Sequence, residues 1–321
     1  MNYLLDNWSF DPLLLAVGVT IFAHEVGLAR LRAHSAATRT RRRRRNALIF
    51  YAGLTVLLLA IASPIDYWSS RYFYVHMIEH LLLVFVAPAL IVAGAPWVPL
   101  MFALPLKSRR STGRFFYLSP RASVVRVIGR FIRNPWVAVG SFIAAMLVWH
   151  IPACFDLAER NYFVHIWLMH TSFIVTGVLF WLQIIPSHPM KPARGPVFQV
   201  SAIVATNVIM TVLAISMSFL TAVSWYHVYA HVPGVTLSPF ADQQIGAAIL
   251  WVCGDFWAAP AIFVIIRRAL DTEGSASGAF DRLMGRGAAP SPESFRATRV
   301  HHDVPSPNES RKREDEDRLL P

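Results

Sequence analysis

The amino-acid sequence predicts an all-α protein, a polytopic membrane bundle of seven transmembrane helices with its N-terminus outside and its C-terminus in the cytoplasm. Composition is the first observation, since 55% of the 321 residues are hydrophobic and only 15% are charged. A soluble domain carries about a quarter charged residues. The second observation is a series of long apolar stretches, and the third is the distribution of arginine and lysine between them.

Seven stretches are long enough to cross a bilayer, which takes about 20 mostly apolar residues per helix. The third is longer than one crossing, and Pro88, Gly94, Pro96 and Pro99 are expected to bend or end it near the far interface. Residues 1–270 are therefore predicted to form the transmembrane domain, and residues 271–321 a mobile, charged cytoplasmic tail. The seven stretches are 12–32, 47–65, 73–103, 135–156, 163–186, 197–223 and 241–268.

Basic residues orient the predicted bundle, because cytoplasmic connections are enriched in arginine and lysine. Eighteen basic residues lie in the first, third and fifth connections, among them the run Arg41 to Arg45, whereas the second and fourth hold only Arg71 and Arg160. The formal net charge of +11 is thus explained by topology and by contact with anionic lipid. No nucleic-acid partner is expected.

This orientation brings histidines from several helices to the outer end of the bundle. His76 and His80 begin the third stretch one helical turn apart, so both imidazoles share a face, and Met77 adds a thioether beside them. His150 ends the fourth stretch on the same side. Such histidines can simply form hydrogen bonds at the headgroup level, but polar groups near hydrocarbon are costly and are usually functional. The remaining metal-binding groups on this side are His165, His170, His227, His231 and Asp242.

His165 and His170 lie five residues apart in the fifth stretch. In an α-helix this separation is a rotation of about 140°, so both are not expected to face one site. His170 lies deeper and is the expected inward member. A second polar set, His24, Glu25 and Asp255, lies near mid-membrane. It serves either to lock helix packing through an internal pair or to relay a proton or metal.

Three familiar interpretations of these residues are disfavoured or secondary. Residues 76–80 fit the H-x-x-E-H signature of zinc peptidases with Glu79 as base, but the helix that follows enters lipid and leaves little room for a peptide substrate. The seventh stretch contains no lysine for a retinal Schiff base. Haem can take axial histidines, but it predicts them on facing helices around a deep apolar slot, not at an outer rim.

Five blocks of the sequence, taken in order, resemble the caa3-type CtaG family of cytochrome c oxidase assembly factors. The resemblance covers residues 46–268, and it implies a bacterial inner-membrane protein that helps to mature a haem-copper oxidase. Carried over by position, it points to His76, Met77, His80, His150, His170 and Asp242 as site residues. At Glu79 the family commonly has glutamine, so the resemblance assigns no role there. The blocks are HMIEHLLLVFVAPALIVAGAP (76–96), WHIPACFDLA (149–158), HTSFIVTGVLFW (170–181), WYHVYA (225–230) and DQQIGAAILW (242–251).

The sequence-based hypothesis is therefore an assembly factor, not an enzyme, which binds or relays copper at the outer face toward haem-copper oxidase subunits. Cu(I) is favoured because it accepts thioether and imidazole ligands, which Met77, His76 and His80 offer. His150 and His170 are expected to complete the site. His165, His231 and Asp242 are possible ligands or orienting partners. The alternative is a haem-binding membrane protein or a small-molecule carrier that uses the same histidines.

Overall fold

The computed structural model describes residues 7, 8, 11–32 and 37–273, and every regular element in these ranges is a helix. Two of the helical segments are π-helices, which continue directly into α-helices. The first, Leu82–Val86, joins α4 to α5, and the second, Val164–His170, leads into α11. The α-helices are α1 Leu13–Arg32, α2 Ala37–Ala62, α3 Pro64–Ser69, α4 Phe73–Leu81, α5 Ala87–Gly94, α6 Trp97–Ala103, α7 Leu106–Leu118, α8 Ser123–Ile132, α9 Pro135–His150, α10 Pro152–Arg160, α11 Thr171–Ile184, α12 Pro196–Phe219 and α13 Pro239–Glu273.

Within the described residues, six helical segments are long and apolar enough to cross a membrane alone. The fourth predicted stretch corresponds to α9, which has 16 residues and reaches that length only with the preceding segment Pro120–Ile132, at a bend of 70°. An all-α, multi-pass membrane fold with six or seven crossings is thereby confirmed. The orientation of the termini stays a prediction, and residues 274–321 of the predicted tail lie outside the described residues.

The third predicted stretch consists of one crossing and a short second helix. The crossing runs from Phe73 to Gly94, and the left-handed backbone of Ala95, with φ of 49°, ends it. Helix α6 then packs against α1. A Cβ placed on Gly27 of α1 would lie 1.8 Å from the carbonyl oxygen of Pro99, so the two backbones meet only because residue 27 is glycine.

The crossing Phe73–Gly94 lies inside the bundle, and this buries the residues at its start. Helix α2 packs along α5, and α11 packs along α5 and the π-turn Leu82–Val86. Small residues allow these close approaches, as is usual between membrane helices. A Cβ on Gly177 of α11 would lie 2.6 Å from the carbonyl oxygen of Val84. His76 and His80 on α4 are therefore surrounded by neighbouring helices.

Candidate metal centre

Four buried histidines and one partly exposed histidine, His165, form one cluster at the end of the bundle where α4 begins. The rings of four of them close a loop: the centroids of His76 and His80 are 4.0 Å apart, those of His76 and His165 5.6 Å, those of His165 and His170 4.3 Å, and those of His170 and His80 6.3 Å. The His150 ring lies 6.3 Å from that of His80. We call His76, His80, His150, His165 and His170 the histidine cluster.

The expectation that His165 and His170 cannot face one site is wrong. The segment Val164–His170 is a π-helix, in which hydrogen bonds join residues five apart instead of four. Residues five apart therefore lie nearly one above the other, and both rings enter the cluster. The wider turn brings a fifth histidine to a site where an ordinary α-helix would present four.

His150 enters the cluster at a break between two helices. The sequence predicts that Pro152 disrupts this region, and the structure confirms it: α9 ends at His150, Ile151 is extended, and α10 starts at Pro152. Nδ1 of His150 lies 2.6 Å from the backbone oxygen of Met146. The hydroxyl of Tyr226, from the outer loop, donates to the carbonyl oxygen of His150 at 3.2 Å.

Hydrogen-bond partners determine which ring nitrogens can bind a ligand. A carbonyl or carboxylate oxygen accepts, so the Nδ1 atom that contacts one carries the proton, and Nε2 keeps its lone pair. This holds for His150, whose Nδ1 contacts the oxygen of Met146. Nδ1 of His165 lies 2.9 Å from Oε1 of Glu159, in ion-pair contact without hydrogen-bond geometry. Nε2 of His150 is buried and has no hydrogen-bond partner among the described residues.

His76 follows the same pattern through the outer loop. Its Nδ1 lies 3.3 Å from the hydroxyl of Tyr229 and 3.4 Å from Oε1 of Glu159. The Tyr229 hydroxyl donates to the carbonyl oxygen of Ser69 at 2.8 Å, so its oxygen accepts from His76. Burial raises the pKa of Tyr229 well above its ordinary value, so the hydroxyl keeps its proton. Nε2 of His76 is left with a free lone pair in the buried interior.

Glu79 is a candidate site residue to which the sequence analysis assigned no role. Its side chain is completely buried, and neither carboxylate oxygen has a hydrogen-bond partner among the described residues. Oε1 lies 3.2 Å from Nε2 of His170, in ion-pair contact without hydrogen-bond geometry. Three potential metal-binding atoms lie within 4.8 Å of one another, one each from Glu79, His165 and His170. The H-x-x-E-H pattern was the available signal, since it places an acid between two histidines on one helix.

A cavity of about 690 Å³ connects the cluster to the surface. Asp11, Asp66, Glu159 and His165 line it, and we call it the outer cavity. Burial and the nearby Asp66 carboxylate raise the pKa of Asp11. Glu159 belongs to both regions, because it lines the outer cavity and its carboxylate contacts two histidines of the cluster. Arg160 also lines this cavity, and the cavity meets the histidine cluster at His165 and Glu159.

Two predicted site residues lie beside the cluster in other roles. Met77 is buried, and its Cγ would lie 3.1 Å from a Cβ placed on Gly246, so its side chain packs toward α13. Asp242 accepts hydrogen bonds from the backbone N–H groups of Phe73, at 2.8 Å, and Tyr74, at 2.9 Å. It therefore caps the helix that carries two of the histidines, and it is held away from their rings.

The remaining predicted residues lie apart from the cluster. His231 is exposed in the outer loop. Buried His24 lies in the second half of α1, where its Nδ1 is 2.7 Å from the Tyr51 hydroxyl, which also donates to the carboxylate of Glu25. Asp255 has its backbone in α13, but its side chain lies outside the described part of the chain. A contact between Asp255 and the other two therefore stays a prediction.

Comparisons with known proteins agree with the resemblance found in the sequence. The family described as cytochrome c oxidase caa3 assembly factor (Caa3_CtaG) matches residues 23–272. An uncharacterised protein of Mycobacterium bovis is 26% identical over 267 residues, which is 82% of this chain and 39% of that protein. An uncharacterised protein of Mycobacterium leprae is 24% identical over 266 residues, or 81% of this chain and 38% of that protein. The chain thus spans about two fifths of the length of these relatives. No solved structure matches.

Proposed function

Because the chain belongs to the family of cytochrome c oxidase caa3 assembly factors, we propose that it holds or relays copper for a nascent haem-copper oxidase. It acts as an assembly factor and not as an enzyme. Its place is the bacterial inner membrane, with the histidine cluster at the outer face as the distribution of arginine predicts. Its partners are the oxidase subunits and anionic lipid.

The observation that carries the copper proposal is the set of unpartnered ligand atoms in the cluster. Metal-binding histidines usually donate one ring N–H to a carbonyl, carboxylate or other oxygen, and bind metal through the second nitrogen. His76 and His150 have this arrangement, with Nδ1 hydrogen-bonded to an oxygen in each case, and Nδ1 of His165 lies 2.9 Å from a carboxylate oxygen of Glu159. Buried polar atoms without partners are costly, and a bound cation would satisfy several of them together.

The donor set differs from the one that the sequence favoured. The Cγ of Met77 lies against Gly246, so we do not include the thioether that argued for Cu(I) among the proposed ligands. Imidazole suits copper, and it also suits zinc. We therefore propose that imidazoles of the cluster and the Glu79 carboxylate are the metal ligands. Metal loading of the purified protein compares Cu(I) with Cu(II) at this site.

The outer cavity supports a role in transfer rather than in permanent storage. A structural metal site is closed on all sides, whereas a delivery site needs a path for loading and release. The outer cavity provides one, with carboxylates that attract cations and a wall that includes His165. Metal would pass from Glu159 and His165 to the deeper rings of His170 and His80.

Haem fits this geometry less well than a metal ion. A haem bound between two histidines needs room for its macrocycle between the facing rings. The rings of His76 and His80 are separated by 4.0 Å, and the rings of Phe155 and Phe173 pack against them at 4.8 Å and 4.6 Å. Aromatic side chains therefore occupy space beside these two rings that a porphyrin would need and that an ion would not.

Metal content of the purified protein tests the proposal directly. Protein loaded in detergent with Cu(I), Cu(II) or Zn(II) is desalted and measured by elemental analysis. We expect stoichiometric copper, and its loss in a His76→Ala/His80→Ala variant. His231→Ala is the matched control, because that histidine is exposed in the outer loop. Equal copper in the wild type and the double variant would refute the ligand assignment, and a Soret band would support haem instead.

The Glu79→Gln variant tests the carboxylate at nearly constant shape. The substitution removes a carboxylate ligand beside His170, so we expect copper affinity to fall by about 10- to 100-fold. Competition with a copper chelator measures the affinity.

Assembly is tested separately in a strain that lacks the protein. Wild type and His231→Ala should restore oxidase activity and its copper content, whereas His76→Ala/His80→Ala should restore neither. Full restoration by the double variant would refute copper relay. Copurification of oxidase subunits with that variant would then identify a scaffolding role.

A further inference from the structure

A second polar cavity lies at the opposite end of α2 from the histidine cluster. Its volume is about 400 Å³, and it lies between the second half of α1, the first turns of α2 and the junction of α5 with α6. Helix α2 runs from this cavity to α3, whose last residue contacts the outer loop through Tyr229. The polar side chains that line it are His24, Arg42, Arg43, Asn46 and His188. We call it the arginine pocket.

The described lining of this pocket is basic. Among the described residues that line it, two are arginines and none is a carboxylate, and the sequence contains no acidic residue between Glu25 and Asp66. Glu25 accepts the hydroxyl of Tyr51. The pocket therefore has a strong preference for a negatively charged occupant.

The position of the arginine run in α2 strengthens this preference. Arg41 to Arg45 lie in the first turns of a helix that begins at Ala37. The N-terminal end of a helix carries partial positive charge and favours anions, and like charges four residues apart repel. Five consecutive arginines at this end are unfavourable by themselves, and an anion held between two of them and the neighbouring helices would offset that cost.

The donors of the pocket are held in position. Arg42 and Asn46 are one turn apart and share a face of α2. An Arg43 N–H donates to the carbonyl oxygen of Leu31 at 3.1 Å, which anchors that guanidinium beside the pocket. Arginine forks bind phosphate oxygens in pairs. The cavity is within the size range of small-molecule sites.

His24 adds a histidine at the buried side of the pocket. Its Nδ1 contacts the Tyr51 hydroxyl, and that hydroxyl gives its only proton to the carboxylate of Glu25. Nδ1 of His24 is therefore the donor to the tyrosine oxygen. The histidine is fixed in one orientation at the wall of the pocket.

We propose that the arginine pocket binds a phosphate group, carried either by the headgroup of an anionic lipid or by a soluble phosphate compound. This site is independent of the histidine cluster and of copper. It gives the arginine run of α2 a specific ligand in addition to its effect on topology.

Thermal stability of the purified full-length protein in detergent tests the proposal, with two probes. One is phosphatidylglycerol in the micelle, compared with phosphatidylcholine, and the other is inorganic phosphate, compared with chloride at equal ionic strength. The test variant is Arg42→Gln/Arg43→Gln. The control is Arg44→Gln/Arg45→Gln, which makes the same change of charge in the same run at positions that do not line the pocket.

We expect the wild type and the control to be stabilised by at least one probe, and the test variant to bind that probe about tenfold more weakly or worse. Stabilisation by phosphatidylglycerol alone identifies a lipid headgroup, and stabilisation by phosphate alone identifies a soluble compound. The proposal is overturned if neither probe stabilises the wild type, or if both double variants lose the effect equally. Should the test variant not fold, His188→Gln at the exposed rim replaces it, with the same expected weakening.

Discussion

The capping of α4 by Asp242 leads to a prediction whose size follows from the structure. Tyr72, at the start of α4, provides no side-chain cap. Asp242 supplies one from α13, with one carboxylate oxygen on the Phe73 N–H and the other on the Tyr74 N–H. Each hydrogen bond to a charged group contributes about 1.5–3 kcal/mol. Asp242→Asn keeps one acceptor and loses the charge, so we expect a loss of about 2–3 kcal/mol.

Unfolding monitored by tryptophan fluorescence in detergent measures this loss. About 1 kcal/mol shifts Tm by about 2–4 °C in a domain of 150–250 residues, so Asp242→Asn should lower Tm by roughly 4–12 °C. Asp242→Ala removes both acceptors and should lower it further. Asp271→Asn, an exposed carboxylate on the same helix, should leave Tm within about 1 °C. Copper content should fall with Asp242→Asn, because the uncapped turn precedes His76.

Two outcomes would refute this reasoning. If Asp242→Asn unfolds at the wild-type temperature, the carboxylate does not stabilise α4. If copper is lost while Tm is unchanged, Asp242 acts on a histidine, as the sequence alone had suggested, and not on the helix terminus.

Three further predictions follow from contacts around the bundle. Gly27→Ala forces a Cβ onto the Pro99 carbonyl and should destabilise the folded protein by about 1–3 kcal/mol. Gly18→Ala on the same helix places its Cβ in open space and should leave the stability unchanged. Equal melting temperatures of the two variants would contradict the close approach of α1 and α6. Tyr229→Phe removes the hydroxyl that contacts His76 and should weaken copper binding by about tenfold or more in chelator competition. Unchanged affinity would count against a role for this hydroxyl in orienting His76. Met77→Leu should leave copper content unchanged in elemental analysis, and copper loss would restore the thioether as a ligand.

The sequence predicted those parts of the fold that depend on local pattern. Apolar length predicts the crossings, and helical periodicity places His76 and His80 on one face. Proline predicts the break after His150. These features depend on the chemistry of neighbouring residues along one chain segment, and the structure agrees with each.

Other features depend on packing between distant segments and were not predictable from the pattern. The π-turn that brings His165 into the cluster leaves the composition of its segment unchanged. The side chain of Met77 can turn to either side of α4, and its direction follows from the small residue opposite, Gly246. Asp242 is 169 residues from the N–H of Phe73 that it caps. The burial of Glu79 beside His170 depends on the packing of α4 against the segment that carries His170, and the local pattern does not predict it.

The π-turn at Val164–His170 makes the composition of the centre depend on chain length rather than on residue identity. A π-turn holds one residue more than the α-helical turn it replaces, so removal of a single apolar residue between the two histidines would restore the ordinary winding. His165 and His170 would then lie four residues apart and share one face of an α-helix, whereas at their present spacing an ordinary α-helix would turn them about 140° apart. A homologue can therefore keep all five histidines and still have a different coordination sphere. In this fold, counting residues between histidines is as informative as finding the histidines themselves.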